Sequence, residues 1–252
     1  MKSFIKSIVP FIFVFFLLST PAFTGEPTAK EILDRIDKMW RGESSSGEVT
    51  MEIVTAHWKR SLTMDVWSLG KEYSLVKITA PLKEKGVATL KVEKNIWNYL
   101  PKINRVIKIP GSMMMASWMG SHFTNDDLVK ESTFVDDYTY RLSFSGLRGG
   151  QFIYEIECIP KPEAAVVWGK VVIIVLKEDL IPLKELFYDE DGTLMRTMAF
   201  SEVRSFGRRT VPSVTTLVPA DKPDELTRIT YNRLQFGIDV DEEFFSLRNL
   251  KR

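Results

Sequence analysis

The chain has 252 residues, with 34 basic and 33 acidic side chains, two histidines and one cysteine. The net charge of +1 argues against a nucleic-acid-binding protein and against strong electrostatic adhesion to anionic membranes. The single cysteine, Cys158, excludes an internal disulfide, and we expect its thiol to be a small buried hydrophobic group.

The N-terminus has the pattern of a secretory signal peptide. Lys2 and Lys6 give a positive start, an apolar run extends from Ile8 to Leu18, and small residues end at Ala22. The apolar run is shorter than the ~20 residues that a membrane-spanning helix needs, which disfavours a membrane anchor. We therefore predict export with cleavage after Ala22, and a soluble mature chain with 32 basic and 33 acidic residues.

The mature chain begins with a predicted amphipathic helix from Pro27 to Trp40. Proline suits the first turn of a helix, and Gly42 suits a position just after its end. The apolar residues recur at the spacing of one helical face; they are Ile32, Leu33, Ile36, Met39 and Trp40. We expect this face to lie across the concave side of the sheet that the following residues predict.

From Gly47 onward, apolar residues recur at every second position, which predicts β-strands. The main predicted strands are 49–54, 62–66, 73–79, 87–92, 95–100, 133–145, 151–159, 171–176, 183–188, 194–206, 209–218 and 225–236. Eleven or twelve antiparallel strands tend to curl or close, and the periodicity alone allows a half-barrel, a closed barrel or a sandwich. No repeat or linker divides the chain, so we expect a signal peptide (1–22) and one domain (23–252).

The segment 97–128 interrupts the regular pattern. One strand ends at Pro101, which cannot donate to a strand ladder, and a short strand is expected at 105–109. An uncharged cluster follows, formed by Met113, Met114, Met115, Trp118 and Met119. Because methionine fills irregular space, the cluster indicates either a core helix or plug, or a deformable lid over a cavity whose guest varies in shape. Thr124 can then cap a short helix with two aspartates in its first turn.

The same segment and the end of the chain carry a family resemblance. The motifs are W-x-Y-L-P at 97–101, R-V at 105–106, S-W-M-G-S at 117–121, F-T-x-x-D-L at 123–128 and the closing segment at 244–252. They resemble the LolA-like outer-membrane lipoprotein-sorting family, although His122 stands where an aspartate would be expected in G-S-D-F. The resemblance implies a mainly β (α+β) fold, in which a large curved antiparallel sheet forms a half-open β-barrel with helices as plug and lid. It also implies a periplasmic location.

The residues give little support for an enzyme. His57 and His122 are the two histidines, and the sequence has no H-E-x-x-H, C-x-x-C or G-x-S-x-G motif. We expect His57 to be exposed in a polar turn. Three pairs of adjacent acids are interpreted as structural, since neighbours point to opposite faces of a strand or serve the dipole at a helix start; they are Asp126-Asp127, Asp136-Asp137 and Glu242-Glu243.

We therefore predict a periplasmic carrier, not an enzyme, that binds lipid or lipoprotein acyl chains in an apolar cavity and ferries them between membranes. The predicted cavity wall consists of Met51, Ile53, Met64, Val66, Trp97, Tyr99, Phe152, Tyr154 and Ile156. The predicted lid consists of Met113, Met114, Met115, Trp118, Met119 and Phe123. The alternative is a periplasmic adaptor that docks on an envelope transport or export complex without carrying a free ligand. The resemblance implies an inner-membrane transporter as partner, and we expect a monomer without metal or cofactor.

Overall fold

The structure is a computed structural model that describes residues 25–130, 134–164 and 166–251. The predicted signal peptide (1–22) lies outside the described residues. Within the described residues, no helix is both long enough and apolar enough to cross a membrane.

The described chain consists mainly of β-strands. The strands are β1 (Ser44–Val54), β2 (Lys59–Leu69), β3 (Tyr73–Ala80), β4 (Ala88–Val92), β5 (Asn95–Leu100), β6 (Arg105–Lys108), β7 (Tyr138–Arg148), β8 (Gln151–Pro160), β9 (Lys170–Leu176), β10 (Pro182–Tyr188), β11 (Leu194–Phe206), β12 (Arg209–Pro219) and β13 (Leu226–Phe236). The helices are α1 (Ala29–Asp37), α2 (Asn125–Lys130), α3 (Phe134–Asp137) and α4 (Leu247–Leu250). Helical turns of three residues occur at Pro101–Ile103, Gly111–Met113 and Glu242–Phe244.

All thirteen strands belong to one antiparallel sheet in the order β6-β5-β4-β3-β2-β1-β13-β12-β11-β10-β9-β8-β7. The first strand pairs with the last, from Ser45 opposite Phe236 to Val54 opposite Leu226. The outer strands β6 and β7 do not pair with each other in the described chain, so the curved sheet stays open. The predicted fold class, a mainly β half-open barrel, is confirmed, with one or two more strands than the sequence count.

Helix α1 packs on the concave face of the sheet, as its apolar stripe predicts. Ile32, Leu33 and Ile36 are buried in a large hydrophobic cluster with residues of the central strands. The helix begins with a capping box, in which the Glu31 amide donates to Thr28 Oγ1 (3.3 Å) and the Thr28 amide donates to the Glu31 carboxylate (2.8 Å). Helix α1 is shorter than the predicted helix at 27–40, since it begins at Ala29 and ends at Asp37.

The opposite face of β3, β4 and β5 is covered by the C-terminal segment. Phe245 and Leu250 are buried there against Leu75 and Leu90, and they form a second hydrophobic cluster. This face of the three strands is therefore apolar and covered.

The largest local error of the sequence analysis concerns 133–145, which was predicted as one strand. Residues Phe134–Asp137 instead form the short helix α3, and β7 begins at Tyr138. Phe134 packs against Tyr138, with 5.5 Å between the ring centroids. Asp136 accepts a hydrogen bond from Lys71 Nζ at 2.6 Å, so the helical turn is held by contacts on both sides.

Candidate apolar binding cavity

A cavity of about 260 Å³ lies between the concave face of the sheet, helix α1 and the segment between β6 and α2. Its wall includes Leu33 and Ile36 from α1, Val49 from β1, and Met64 and Val66 from β2. An engineered apolar cavity of about 150 Å³ holds benzene, so this space has room for roughly ten carbon atoms at the same density. An apolar interior of this kind suits a hydrocarbon guest.

Two aromatic side chains from the segment between β6 and α2 cover the cavity on the side away from the sheet. Trp118 and Phe123 both line the cavity and are only 4% and 7% exposed. The Trp118 indole donates to Thr89 Oγ1 at 3.1 Å, and its backbone amide donates to the Phe123 carbonyl at 2.8 Å. Because the indole N–H has a buried acceptor, the ring is held inside the cavity roof and not merely packed there.

The chain turns sharply just after Trp118. Met119 and Gly120 have backbone φ angles of +52° and +75°, and the first of these is unusual for a residue with a side chain. Arg60 on β2 donates from its NH1 atom to the Met119 carbonyl at 2.8 Å. The same guanidinium is paired with Glu84 in the β3–β4 turn. Arg60 therefore ties the turn of the lid to the start of β2 and to the β3–β4 turn.

His122 anchors the lid to β13. Its backbone amide donates to Thr227 Oγ1 at 3.0 Å, and its Nδ1 atom lies 2.8 Å from the same oxygen. Its Nε2 atom lies 3.1 Å from Glu225 Oε2. The hydrogen bond to His122, together with one from the Ala56 amide, lowers the pKa of the Glu225 carboxyl. The position that departs from the resembled motif is thus an anchor of the lid.

A third anchor lies at the start of α2. Asp127 accepts two hydrogen bonds from the Arg196 guanidinium, at 2.8 and 2.6 Å, and both side chains are largely buried. The guanidinium lies between Trp168 and Phe187, 4.4 and 4.3 Å from the ring centroids. Thr124 caps α2 through its hydroxyl, which accepts from the Asp127 amide at 3.2 Å, as predicted. A small void of about 40 Å³ adjoins this pair.

Polar groups lie at the end of the cavity near the β2–β3 turn. Asp37 and Arg41, at the end of α1, form an ion pair. Lys71 lies in the same part of the wall and is paired with Asp136. The hydrogen bond that Lys71 donates to this carboxylate raises the pKa of Lys71. The cavity is therefore lined mostly by apolar side chains, with charged groups near the β2–β3 turn and with Lys91, Asp127 and Glu185 elsewhere in its wall.

The predicted wall residues fall into three groups. Met64 and Val66 line the cavity. Four others are buried in the hydrophobic cluster on the same face but do not line the cavity; they are Met51, Ile53, Tyr154 and Ile156. Trp97 and Tyr99 pack into the second cluster on the opposite face, and Phe152, at the end of β8, is 61% exposed. The placement of these last three in the cavity wall is corrected, since β5 turns its odd-numbered residues outward and Phe152 lies beyond the covered part of the sheet.

The predicted lid residues also divide. Trp118 and Phe123 line the cavity, and Met119 packs against the cluster around it. Met113 and Met115 are each 48% exposed, and Met114 is partly exposed; none of these three lines the cavity. These three methionines therefore lie in the predicted lid segment but do not face the cavity, and two of them are turned to solvent.

The sequence analysis missed several residues that line the cavity. They lie just after α1 and on the three strands β1, β11 and β13; they are Trp40, Val49, Met198, Phe200, Ile229 and Tyr231. Trp40 belongs to the predicted apolar stripe of the helix and could have been included on that ground. Cys158 is buried as predicted, and burial raises the pKa of its thiol to about 12.

A family model described as "Uncharacterized protein" matches residues 70–252, and the chain belongs to this family. No curated protein matches the sequence.

Solved structures show what fold the chain shares. The chain is similar to a DUF1329 family protein from Desulfovibrio piger (TM-score 0.79, 23% identity, covering 87% of this chain and 96% of that one). It is also similar to a domain described as an outer membrane lipoprotein-sorting protein from Vibrio parahaemolyticus (0.76, 24%, 88% and 97%). A third is a LolA superfamily protein from Nitrosomonas europaea (0.74, 22%, 88% and 99%). The fold is therefore LolA-like, as the sequence motifs suggest.

Proposed function

We propose that this member of the family, with its LolA-like fold, is a periplasmic carrier that shelters an acyl chain of a lipid or lipoprotein between membranes. The observation that carries the proposal is the apolar cavity of about 260 Å³ roofed by Trp118 and Phe123. A binding site for hydrocarbon needs apolar lining and exclusion of water, and it needs no catalytic group. The resemblance of the 97–128 motifs to a lipoprotein-sorting family supports the same function.

The size of the cavity sets the affinity that this function can reach. Each buried methylene contributes ~0.8 kcal/mol, so roughly ten of them contribute about 8 kcal/mol. That free energy corresponds to a dissociation constant of about 1 μM before the costs of ordering the chain are subtracted. The carrier would hold one acyl chain in water, while a longer or branched guest would need the lid to move.

Mass spectrometry of organic extracts tests the proposal directly. Protein purified without detergent should release lipid or lipopeptide in a near-stoichiometric amount. An adaptor that docks on a transport complex, the alternative function, should yield an empty extract and co-purify with membrane subunits. An empty extract, together with failure of the delipidated protein to bind an added fatty acid, would refute the carrier function.

A matched pair of variants then tests whether the cavity is the site. Val66→Phe adds an aromatic ring to a residue of the cavity wall, whereas Val203→Phe makes the same change on an exposed position of β11. We expect the first variant to lose most of the bound lipid and the second to retain it. Equal lipid content in the two folded variants would place the ligand elsewhere.

A further inference from the structure

Three turns meet at one end of the sheet and form a surface that the cavity does not use. They are the β1–β2 turn (55–58), the β3–β4 turn (81–86) and the β5–β6 turn (101–104), here called the docking rim together with the flanking Lys59 and Arg105. The second and third turns touch, since a Cβ on Gly86 would lie 3.5 Å from Pro101 Cγ. The pair between Arg60 and Glu84 ties the second turn to the start of β2.

The docking rim exposes large apolar side chains. Leu82 is 87% exposed, Ile103 58% and Trp58 43%, and each lies on a different turn. Single exposed hydrophobic residues are common on protein surfaces. Three of them on neighbouring turns at the same end of a sheet form an apolar surface that favours a partner. All three lie on turns at the end of the sheet, and none of them lines either of the two cavities described above, so they are available for insertion into a soft surface.

The docking rim is also strongly basic. Lys59, Lys83, Lys85, Lys102 and Arg105 are exposed, and within the described part of the chain none of them forms an ion pair. The one acid in these three turns, Glu84, is already paired with Arg60. The next turn along the rim, Ala220–Glu225, is acidic, and its Glu225 accepts from the Ala56 amide at 3.2 Å. The near-zero net charge of the chain therefore conceals a local concentration of positive charge.

We propose that the docking rim binds the surface of a membrane that contains anionic lipids. Leucine, isoleucine and tryptophan side chains insert among lipid headgroups, and tryptophan in particular prefers this interface. Lysine and arginine side chains extend their charged ends to the lipid phosphates while their stems lie along apolar surface. A surface that combines exposed Leu82 and Ile103 with five cations that form no ion pair among the described residues offers both attractions at and beside the same turns.

The docking rim adjoins the lid. Arg60 contacts Glu84 of the rim through Nε at 3.0 Å and the Met119 carbonyl of the lid through NH1 at 2.8 Å. A membrane bound at the docking rim would therefore lie beside the turn of the lid at Met119 and Gly120. This inference rests on the rim itself and holds whatever occupies the cavity.

Flotation with lipid vesicles tests the inference on the full mature chain. We expect binding to vesicles of phosphatidylcholine mixed with phosphatidylglycerol, weaker binding to phosphatidylcholine alone, and loss of binding as salt is raised. Each cation near an anionic surface changes the affinity about fivefold, so Lys83→Ala with Lys85→Ala should weaken binding about 25-fold. Leu82→Asp should abolish detectable insertion, and Ile103→Asp provides a second variant of the same kind.

Matched controls lie at the opposite end of the sheet. Leu147 is 60% exposed on β7, and Arg208 is an exposed cation in the β11–β12 turn. Leu147→Asp and Arg208→Ala should bind vesicles within about twofold of the wild type, and so should the cavity variant Val66→Phe. The inference is overturned if the wild type does not bind anionic vesicles or if the rim variants bind them as tightly as the wild type. It is also overturned if the control variants lose as much vesicle binding as the rim variants. Loss of a membrane protein partner in the rim variants, without vesicle binding by the wild type, would equally overturn it.

Discussion

Replacing Asp127 by asparagine is the sharpest test of how the lid is held. In the native structure, the Arg196 guanidinium donates two hydrogen bonds to Asp127, and both side chains are largely buried. The substitution keeps the size of the side chain and removes its charge. Arg196 is then left as a buried cation that retains its two aromatic neighbours and loses its counter-ion.

The expected cost follows from that remaining charge. Removing one partner of a buried ion pair typically costs ~3–5 kcal/mol, because the other charge stays desolvated. The stacking of Arg196 between Trp168 and Phe187 survives the change, so we expect a value near ~3 kcal/mol. For a domain of this size, that loss lowers the unfolding midpoint by roughly 6–12 °C.

Two measurements check the prediction. Urea denaturation gives the free energy of unfolding, and amide hydrogen exchange of α2 and of residues 113–124 shows whether the lid opens more often. Asp34→Asn is the matched control, because Asp34 is paired with Lys30 on the exposed side of α1 and its loss should cost no more than ~0.5 kcal/mol.

A double variant separates the ion pair from general disruption. Asp127→Asn with Arg196→Met replaces the pair by uncharged groups, and such replacements are often neutral. We therefore expect it to recover most of the stability lost by Asp127→Asn. The argument fails if Asp127→Asn stays within ~1 kcal/mol of the wild type, or if the double variant is as unstable as the single one.

Three further predictions concern the roof, the His122 anchor and the cysteine. Trp118→Ala removes a buried ring and leaves the Thr89 hydroxyl without its donor, so urea denaturation should show a loss of ~3–5 kcal/mol; an unchanged midpoint would contradict the burial of the indole. His122→Ala removes the hydrogen bond that lowers the pKa of Glu225, so carboxyl NMR titration should find that pKa higher in the variant. A carboxyl whose pKa is lowered in the folded state stabilises the fold at pH values above its ordinary pKa, and this stabilisation is lost as the pH falls through the folded-state pKa. The difference in free energy of unfolding between His122→Ala and the wild type should therefore become smaller in acid. Burial raises the pKa of the Cys158 thiol to about 12, so iodoacetamide should modify the unfolded protein quickly and the native protein slowly at neutral pH; fast native labelling would show an exposed thiolate.

Most of the fold can be predicted from the sequence because the periodicity of a helix or strand depends on residues that are close together in the chain. The stripe that includes Ile32 and Ile36 gave α1 and its buried face, and the alternation through Met51 and Met64 gave the central strands. The error at 133–145 has a local cause. Thr133, Phe134 and Val135 all favour strands, and the contact of Asp136 with the distant Lys71 helps to hold Phe134–Asp137 in a helical turn.

The candidate site is less predictable from the sequence. Alternation separates the residues of a strand into two faces, but it does not show which face lines the cavity. Where both faces are apolar, as at Trp97 and Tyr99, the choice of the inner set is undetermined until the C-terminal segment is placed. The anchors of the lid are equally hidden, because they join residues far apart in the chain. Asp127 and Arg196 are 69 residues apart, and His122 and Glu225 are 103 apart.

These anchors matter for how a carrier of the proposed kind would release its guest. Leaving the cavity for water forfeits the whole of the ~8 kcal/mol gained from about ten buried methylenes, so that step is slow. Leaving it for a membrane forfeits almost none of that free energy, because one apolar environment replaces another. The remaining cost is that of opening the lid, which separates Asp127 from Arg196. Transfer should therefore depend on contact between the lid and an apolar acceptor. Because both routes require the lid to open, Asp127→Asn should speed transfer to vesicles and loss to water by a similar factor, and transfer should remain the faster of the two.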